Sequence, residues 1–157
     1  MSRLVELGHN TGEESNQDPL YSVPGIVLES VGPVRHEVKV PFHDSQVKGH
    51  AVLIQTGWDI RFGTEAYWEP GPFLSDDVIF RLVRSGARLV GVDFWVIRNA
   101  EDTGHAQTRL ILVAKIPVVE NLCNLSTLPR WKFRLSVAPL QGAAGSFYAV
   151  RTVAEFT

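Results

Sequence analysis

Apolar positions along this chain gather into short blocks separated by polar, turn-forming segments. Ala51–Gln55 (AVLIQ) is apolar at four consecutive positions and stops at Thr56–Gly57, the pattern of a strand buried on both faces. Gly25–Ser30 (GIVLES) predicts another buried strand, and Glu37–Val40 a third. Residues 64–74 (TEAYWEPGPFL) carry two prolines and three aromatics and read as a loop. Ser75 then fits a helix N-cap, with Asp76 and Asp77 in the first turn, where the helix dipole favours anions. Val78, Ile79, Leu82 and Val83 form one apolar stripe, and Gly86 suits the position just past the helix end. Arg88–Val96 follows as an apolar, β-rich run. This strand–helix–strand order predicts a parallel strand pair.

Further along, Asp102 and Thr103 offer caps for a helix over 105–115, and Pro117 separates it from the strand-like VVENL. Trp131–Val137 and Phe147–Phe156 are alternating segments joined by the turn-rich GAAGS, which predicts an antiparallel hairpin. Residues 9–19 (HNTGEESNQDP) are polar and nearly free of aliphatics. Residues 1–22 are therefore expected to form an N-terminal arm or loop, and residues 23–157 a single α/β domain with a mixed sheet and few helices.

Composition narrows the function classes. The chain has 157 residues, 45% of them hydrophobic and 20% charged, as in an ordinary globular domain. A net charge of −2 with no Lys/Arg cluster leaves no basic field for nucleic acid. No apolar run reaches the roughly 18 residues needed to span a bilayer, so no membrane role is expected. The opening MSRLVELGHN has no apolar signal core, which favours the cytoplasm. Cys123 is the single cysteine, so neither an internal disulfide nor a Cys-based zinc site can form.

Read in order, AVLIQTGWD (51–59), AYWEPGPFL (66–74), Ser75–Gly86, ARLVGVD (87–93), PVVENLCNL (117–125) and FRLSVAPL (133–140) carry a resemblance. They resemble the cyclase family typified by bacterial kynurenine formamidase, a group of metal-dependent amide and lactam hydrolases. The resemblance spans about residues 48 to 140. It implies a swivelling β/β/α fold in a dimeric or tetrameric assembly. It also implies a metal run, His-X-Gly-Thr-His-X-Asp-X-Pro-X-His, ahead of the TGW block, in which the metal activates water.

That run is absent. The nearest counterpart, Gly8–Pro19, keeps His9, Thr11, Gly12 and Pro19, but has Glu14 at the second histidine and Asn16 at the aspartate. An alternative alignment sets Pro41 and His43 on the final Pro-X-His, leaving only seven residues before Ala51. Later, the family's helix-opening histidine falls on Thr108, with His105 three residues early, and its Ser and Asp after GVD fall on Val96 and Arg98. Glu120 of VVEN is the retained acidic position.

Five histidines (His9, His36, His43, His50 and His105) show no i, i+2 or i, i+4 ligand spacing; scattered, hydrogen-bonded side chains are the simpler reading. A carboxylate at the end of an apolar strand must be paired, ligating or catalytic. Glu120 is thus the leading acid/base candidate, with His9 or His105 as second proton carrier. Asp93 poses the same question, with Arg98 or Arg109 as candidate partners. Trp58, Tyr67, Trp68, Phe73, Phe94 and Trp95 lie beside loops at strand ends, where ligands of α/β folds collect, although each is individually compatible with core packing; Trp58 and Trp68 are the better pocket candidates, with Phe94 and Trp95 beside them. No nucleophile elbow or phosphate loop is present.

These observations favour a metal-independent small-molecule enzyme promoting a cyclisation, dehydration or isomerisation, with no cofactor and as a homodimer. A non-catalytic binding protein is the alternative, and a metal-dependent amide or lactam hydrolase with an unconventional site is a third.

Overall fold

The computed structural model describes residues 1–9, 19–33, 37–68, 71–95, 115–140 and 149–157. Seven strands form one mixed sheet: β1 (Arg3–Glu6), β2 (Tyr21–Glu29), β3 (Ala51–Gln55), β4 (Leu89–Val92), β5 (Val118–Val119), β6 (Phe133–Pro139) and β7 (Val150–Phe156). Their order is β1-β7-β6-β2-β3-β4-β5. Strands β2 to β5 run parallel, whereas β6, β7 and β1 continue from β2 as an antiparallel ribbon. Three helices are described, α1 (Asp44–Val47), α2 (Glu65–Trp68) and α3 (Asp76–Arg84), with a 3₁₀ turn at Trp58–Arg61 and another at Leu125–Thr127.

The strand period of two divides the core. Val52 and Ile54 of β3, with Val90 and Val92 of β4, face α3 and the Trp58–Tyr67 region. Ala51, Leu53 and Leu89 point the other way, toward Leu122, Leu125, Phe133 and Leu135. Both faces being covered explains why β3 and β4 lack polar alternation. Helix α3 forms as its sequence predicts. The Ser75 hydroxyl accepts from the Val78 amide at 3.3 Å, Ile79 and Leu82 are buried, and Gly86 adopts φ +85°. β3, α3 and β4 form the expected parallel unit, and β6 and β7 pair antiparallel over six residue pairs.

Two glycines make close packing possible inside the sheet. A Cβ on Gly25 would lie 2.1 Å from the Phe133 ring, which crosses β2 directly over its cross-strand partner. A Cβ on Gly91 would lie 2.6 Å from a Leu53 methyl and 2.7 Å from a Leu122 methyl.

Some elements differ from expectation. Arg3–Glu6, placed by the sequence in a polar arm, is an edge strand paired with β7, and Leu7 is fully buried. Four residues with two apolar positions are too short a pattern to announce a strand; the hydrogen-bonding edge of β7 supplies what the sequence lacks. Glu37–Val40 makes only isolated bridges, Val31 to Lys39 and Glu37 to Phe73. The helix expected over 105–115 and the GAAGS turn fall outside the described residues. Among the described residues, no helix is long and apolar enough to cross a membrane.

Candidate functional site

The parallel strands end side by side, and the chemistry-bearing residues collect at their carboxyl ends, as open α/β sheets dispose their ligand sites. Strand β3 runs into Thr56–Gly57 and the Trp58–Arg61 turn, β4 into Asp93–Trp95, and β5 into Glu120–Asn121.

Asp93 ties the first two together. It is 1% exposed and accepts three hydrogen bonds: Oδ2 from the amides of Thr56 and Gly57, both at 2.8 Å, and Oδ1 from the Thr56 hydroxyl at 2.5 Å. The same hydroxyl accepts from the Trp58 amide at 3.2 Å. Burial nevertheless pushes the Asp93 carboxyl up to about 6, the three donors and the neighbouring charge of Asp59 being smaller influences. Arg98 and Arg109, the partners expected from sequence, lie outside the described residues; among those described, Asp93 is held by two backbone amides and a hydroxyl.

Tyr67 occupies the middle of the site. Its ring is buried, and its hydroxyl donates to Asn121 Oδ1 at 2.6 Å. Burial drives its ionisation upward, reinforced by the charges of Asp93, Glu120, Asp59 and Cys123, so the phenol stays protonated. Asn121 has φ +59° and its amide donates to the Phe94 carbonyl, which turns the chain sharply just after Glu120. Glu120 itself is half-buried at the end of β5, near enough to Tyr67 for its charge to be felt.

An aromatic series lines one side. His9 stacks face to face on Phe62, with centroids 3.6 Å apart and planes 7° apart. Phe62 meets Tyr67 edge-on at 5.2 Å, Tyr67 meets Trp68 at 4.8 Å, and Trp68 meets Trp95 at 4.5 Å. His9 reaches this position because Leu7 is held in the sheet, its carbonyl accepting from the Cys123 amide at 2.8 Å. Its Nε2 is buried and has no hydrogen-bond partner. Partial burial lowers the affinity of His9 for a proton, and the Asp59 charge opposes this.

The residues predicted from sequence therefore separate. His9, Glu120, Trp68 and Trp95 come to one end of the parallel strands with Tyr67. Trp58 and Phe94 are core residues: Trp58 is 6% exposed with its Nε1 donating to the Tyr67 carbonyl, and Phe94 is fully buried. His105 lies outside the described residues, as does His36. His43 caps α1, and His50 Nδ1 bonds to the Lys48 carbonyl. Phe62 and Asn121 were not singled out from sequence, whereas Tyr67 was, as one of the aromatics beside loops. An aromatic in a mixed loop carries no signal of its neighbours, and only the Asn directly after Glu120 hinted at a left-handed turn.

The metal that the resemblance implies finds no ligand set among the described residues. Among the described residues no three His, Cys, Asp or Glu side chains converge as ligands. Both carboxylate oxygens of Asp93 already accept hydrogen bonds.

Comparison with known proteins agrees with this architecture. Residues 25–98 match the family model described as "Putative cyclase". No curated protein matches the chain. Among solved structures, a potential metal-dependent hydrolase with cyclase activity superposes with a TM-score of 0.71 at 13% identity, over 100% of this chain and 99% of that one. Isatin hydrolase A from Ralstonia solanacearum gives 0.68 at 20% identity, over 96% and 67%. An isatin hydrolase bound to the product analogue thioisatinate gives 0.65 at 18% identity, over 85% of this chain; the present chain spans 60% of that hydrolase's length.

Proposed function

We propose, for a chain built on the cyclase-family scaffold, a small-molecule enzyme that promotes a cyclisation, dehydration or isomerisation without the family's metal. The observation that carries this reading is the convergence of Glu120 and His9 on Tyr67 and its aromatic neighbours, at the carboxyl ends of the parallel strands. Glu120 is the acid/base. His9, neutral near pH 7 because burial disfavours its charged form, is a second proton carrier. Tyr67 and Asn121 fix the turn that presents Glu120. Trp68 and Trp95 offer flat apolar surface against which a folded substrate is held, and such restraint lowers the entropic part of a cyclisation barrier. Among the described residues no converged donor set for a water-activating ion supports amide hydrolysis.

Glu120→Gln tests the assignment. Turnover of the cognate compound should fall about 10²–10⁴-fold, the ordinary contribution of one general acid or base. Unchanged turnover would remove Glu120 from the chemistry. The second reading, metal-dependent hydrolysis, is favoured by the fold shared with isatin hydrolases. Isatin offered to the protein with and without added manganese or zinc separates the two: metal-dependent ring opening would replace the first reading. A homodimer is part of the proposal, because β1 is an edge strand carrying an exposed Leu4, and such edges recruit partners.

A further inference from the structure

Helix α3 (Asp76–Arg84) turns Ile79 and Leu82 into the core and leaves Asp77, Phe80 and Arg84 exposed. At spacings of three and four residues these three lie along one outward stripe. The helix dipole accounts for an acid in the first turn and an arginine in the last. It does not account for a phenylalanine between them, 59% exposed and at the midpoint of the helix. Arg81, on the neighbouring flank, stays with its own chain: it bonds to Asp44 at 2.9 Å and to the Phe42 carbonyl, and lies 4.1 Å over the Phe42 ring.

We propose that this stripe packs against the α3 stripe of a second copy of the chain, antiparallel about a two-fold axis passing beside Phe80. The inference rests neither on the reaction of the site nor on a contact through β1. The stripe is self-complementary, which a two-fold contact requires. With about 1.5 Å of rise per residue, turning the helix end for end about Phe80 sets Asp77 within about 1.5 Å, along the axis, of Arg84 in the other copy. The reverse pair follows by symmetry. The two Phe80 rings then meet at the centre and cover each other, with one opposite-charge pair on either side. The two helix dipoles also run in opposed directions, each positive end beside a negative one. A membrane surface fits less well, because an interfacial helix carries basic flanks, whereas this stripe has an acid at one end and a base at the other.

Oxidative cross-linking of the whole chain reads this geometry. Helices about 8–10 Å apart bring the two copies of position 80 to about 4–6 Å at Cα, within disulfide reach. The two copies of position 77 are offset by about 9 Å along the axis and lie beyond it. Phe80→Cys with oxidised glutathione should therefore give a covalent dimer that peptide mapping shows to be linked through position 80 of both chains. Asp77→Cys should not link to itself. Adding Asp77→Arg or Arg84→Asp to the Phe80→Cys chain should slow linking about 10-fold, since each change makes two like-charge pairs across the axis, and adding both should restore it. Leu4→Lys should leave linking at position 80 unchanged, which separates this contact from one through β1. The absence of a link through position 80, equal linking at positions 77 and 80, or a double charge exchange that fails to restore linking would each overturn the proposal.

Discussion

Gly91 offers the sharpest test of how the sheet positions the site. It lies in the middle of β4 on the face shared with Leu53 and Leu122, both essentially unexposed. In open space, replacing a strand glycine by alanine stabilises by about 0.5–1 kcal/mol, because the unfolded chain loses freedom. Here the new methyl would stand 2.6 Å from Leu53 Cδ2 and 2.7 Å from Leu122 Cδ1, contacts that real structures do not tolerate. Overpacking of this kind costs about 1–3 kcal/mol, so Gly91→Ala should be destabilising by about 1–2 kcal/mol net. Leu122→Ala alone should cost about 2–5 kcal/mol through lost burial and the cavity left behind. Combined, the methyl enters part of the Leu122 cavity while its Leu53 contact remains. The pair should then be less destabilising than the sum of the two by about 1 kcal/mol, well outside the 0.3–0.5 kcal/mol expected of independent sites. Urea unfolding of the four proteins provides the cycle, with midpoints shifting and slopes unchanged. Additivity within 0.5 kcal/mol, or a Gly91→Ala protein more stable than the parent, would refute the packing argument. The Leu122 amide donates to the Val92 carbonyl two residues beyond Glu120, so a displaced Leu122 should also disturb the Glu120 turn.

Gly25→Ala should cost about 3 kcal/mol in the same assay, because its Cβ would lie only 2.1 Å from a carbon of the Phe133 ring, and Phe133→Leu in the same chain should recover part of the loss. Tyr67→Phe removes the bond to Asn121 and should lower stability by about 1–2 kcal/mol with no change in the urea slope. Glu29→Gln breaks the exposed pair with Arg130 and should cost no more than about 1 kcal/mol, vanishing in 1 M salt; a larger, salt-insensitive loss would contradict its exposed setting. Sedimentation should show a dimer that Leu4→Lys weakens; a monomer at all concentrations would remove the edge-strand proposal.

The parallel half of the sheet was legible because its strands are covered on both faces, which turns AVLIQ and RLVGV into unbroken apolar runs with turn signals at each end. Helix α3 was legible for a different reason: its cap, acidic first turn, stripe and terminal glycine all agree. The site was legible only in part. Glu120 stood out because a carboxylate at the end of an apolar strand demands an explanation. Asp93 stood out likewise, but its partners did not, since they are backbone amides contributed by the end of a neighbouring strand. Nothing in residues 1–9 suggested that His9 would meet Phe62. That contact depends on Arg3–Glu6 finding β7, a pairing between segments about 150 residues apart. Trp58 and Phe94 are buried, since a large aromatic beside a loop can turn inward as easily as line a pocket.

The pairing of Arg3 with Phe156 gives the site an order of assembly. Strand β1 has nothing to pair with until β7 has been made, and only then is the backbone through Leu7 drawn across to Cys123 and His9 set against Phe62. The parallel strands, the Asp93 contacts and the Glu120 turn all lie earlier in the chain and can form first. During synthesis the nascent protein would therefore set Glu120 in its turn before His9 reaches Phe62. A ribosome stalled ahead of residue 150 would display a folded scaffold whose rim is still open.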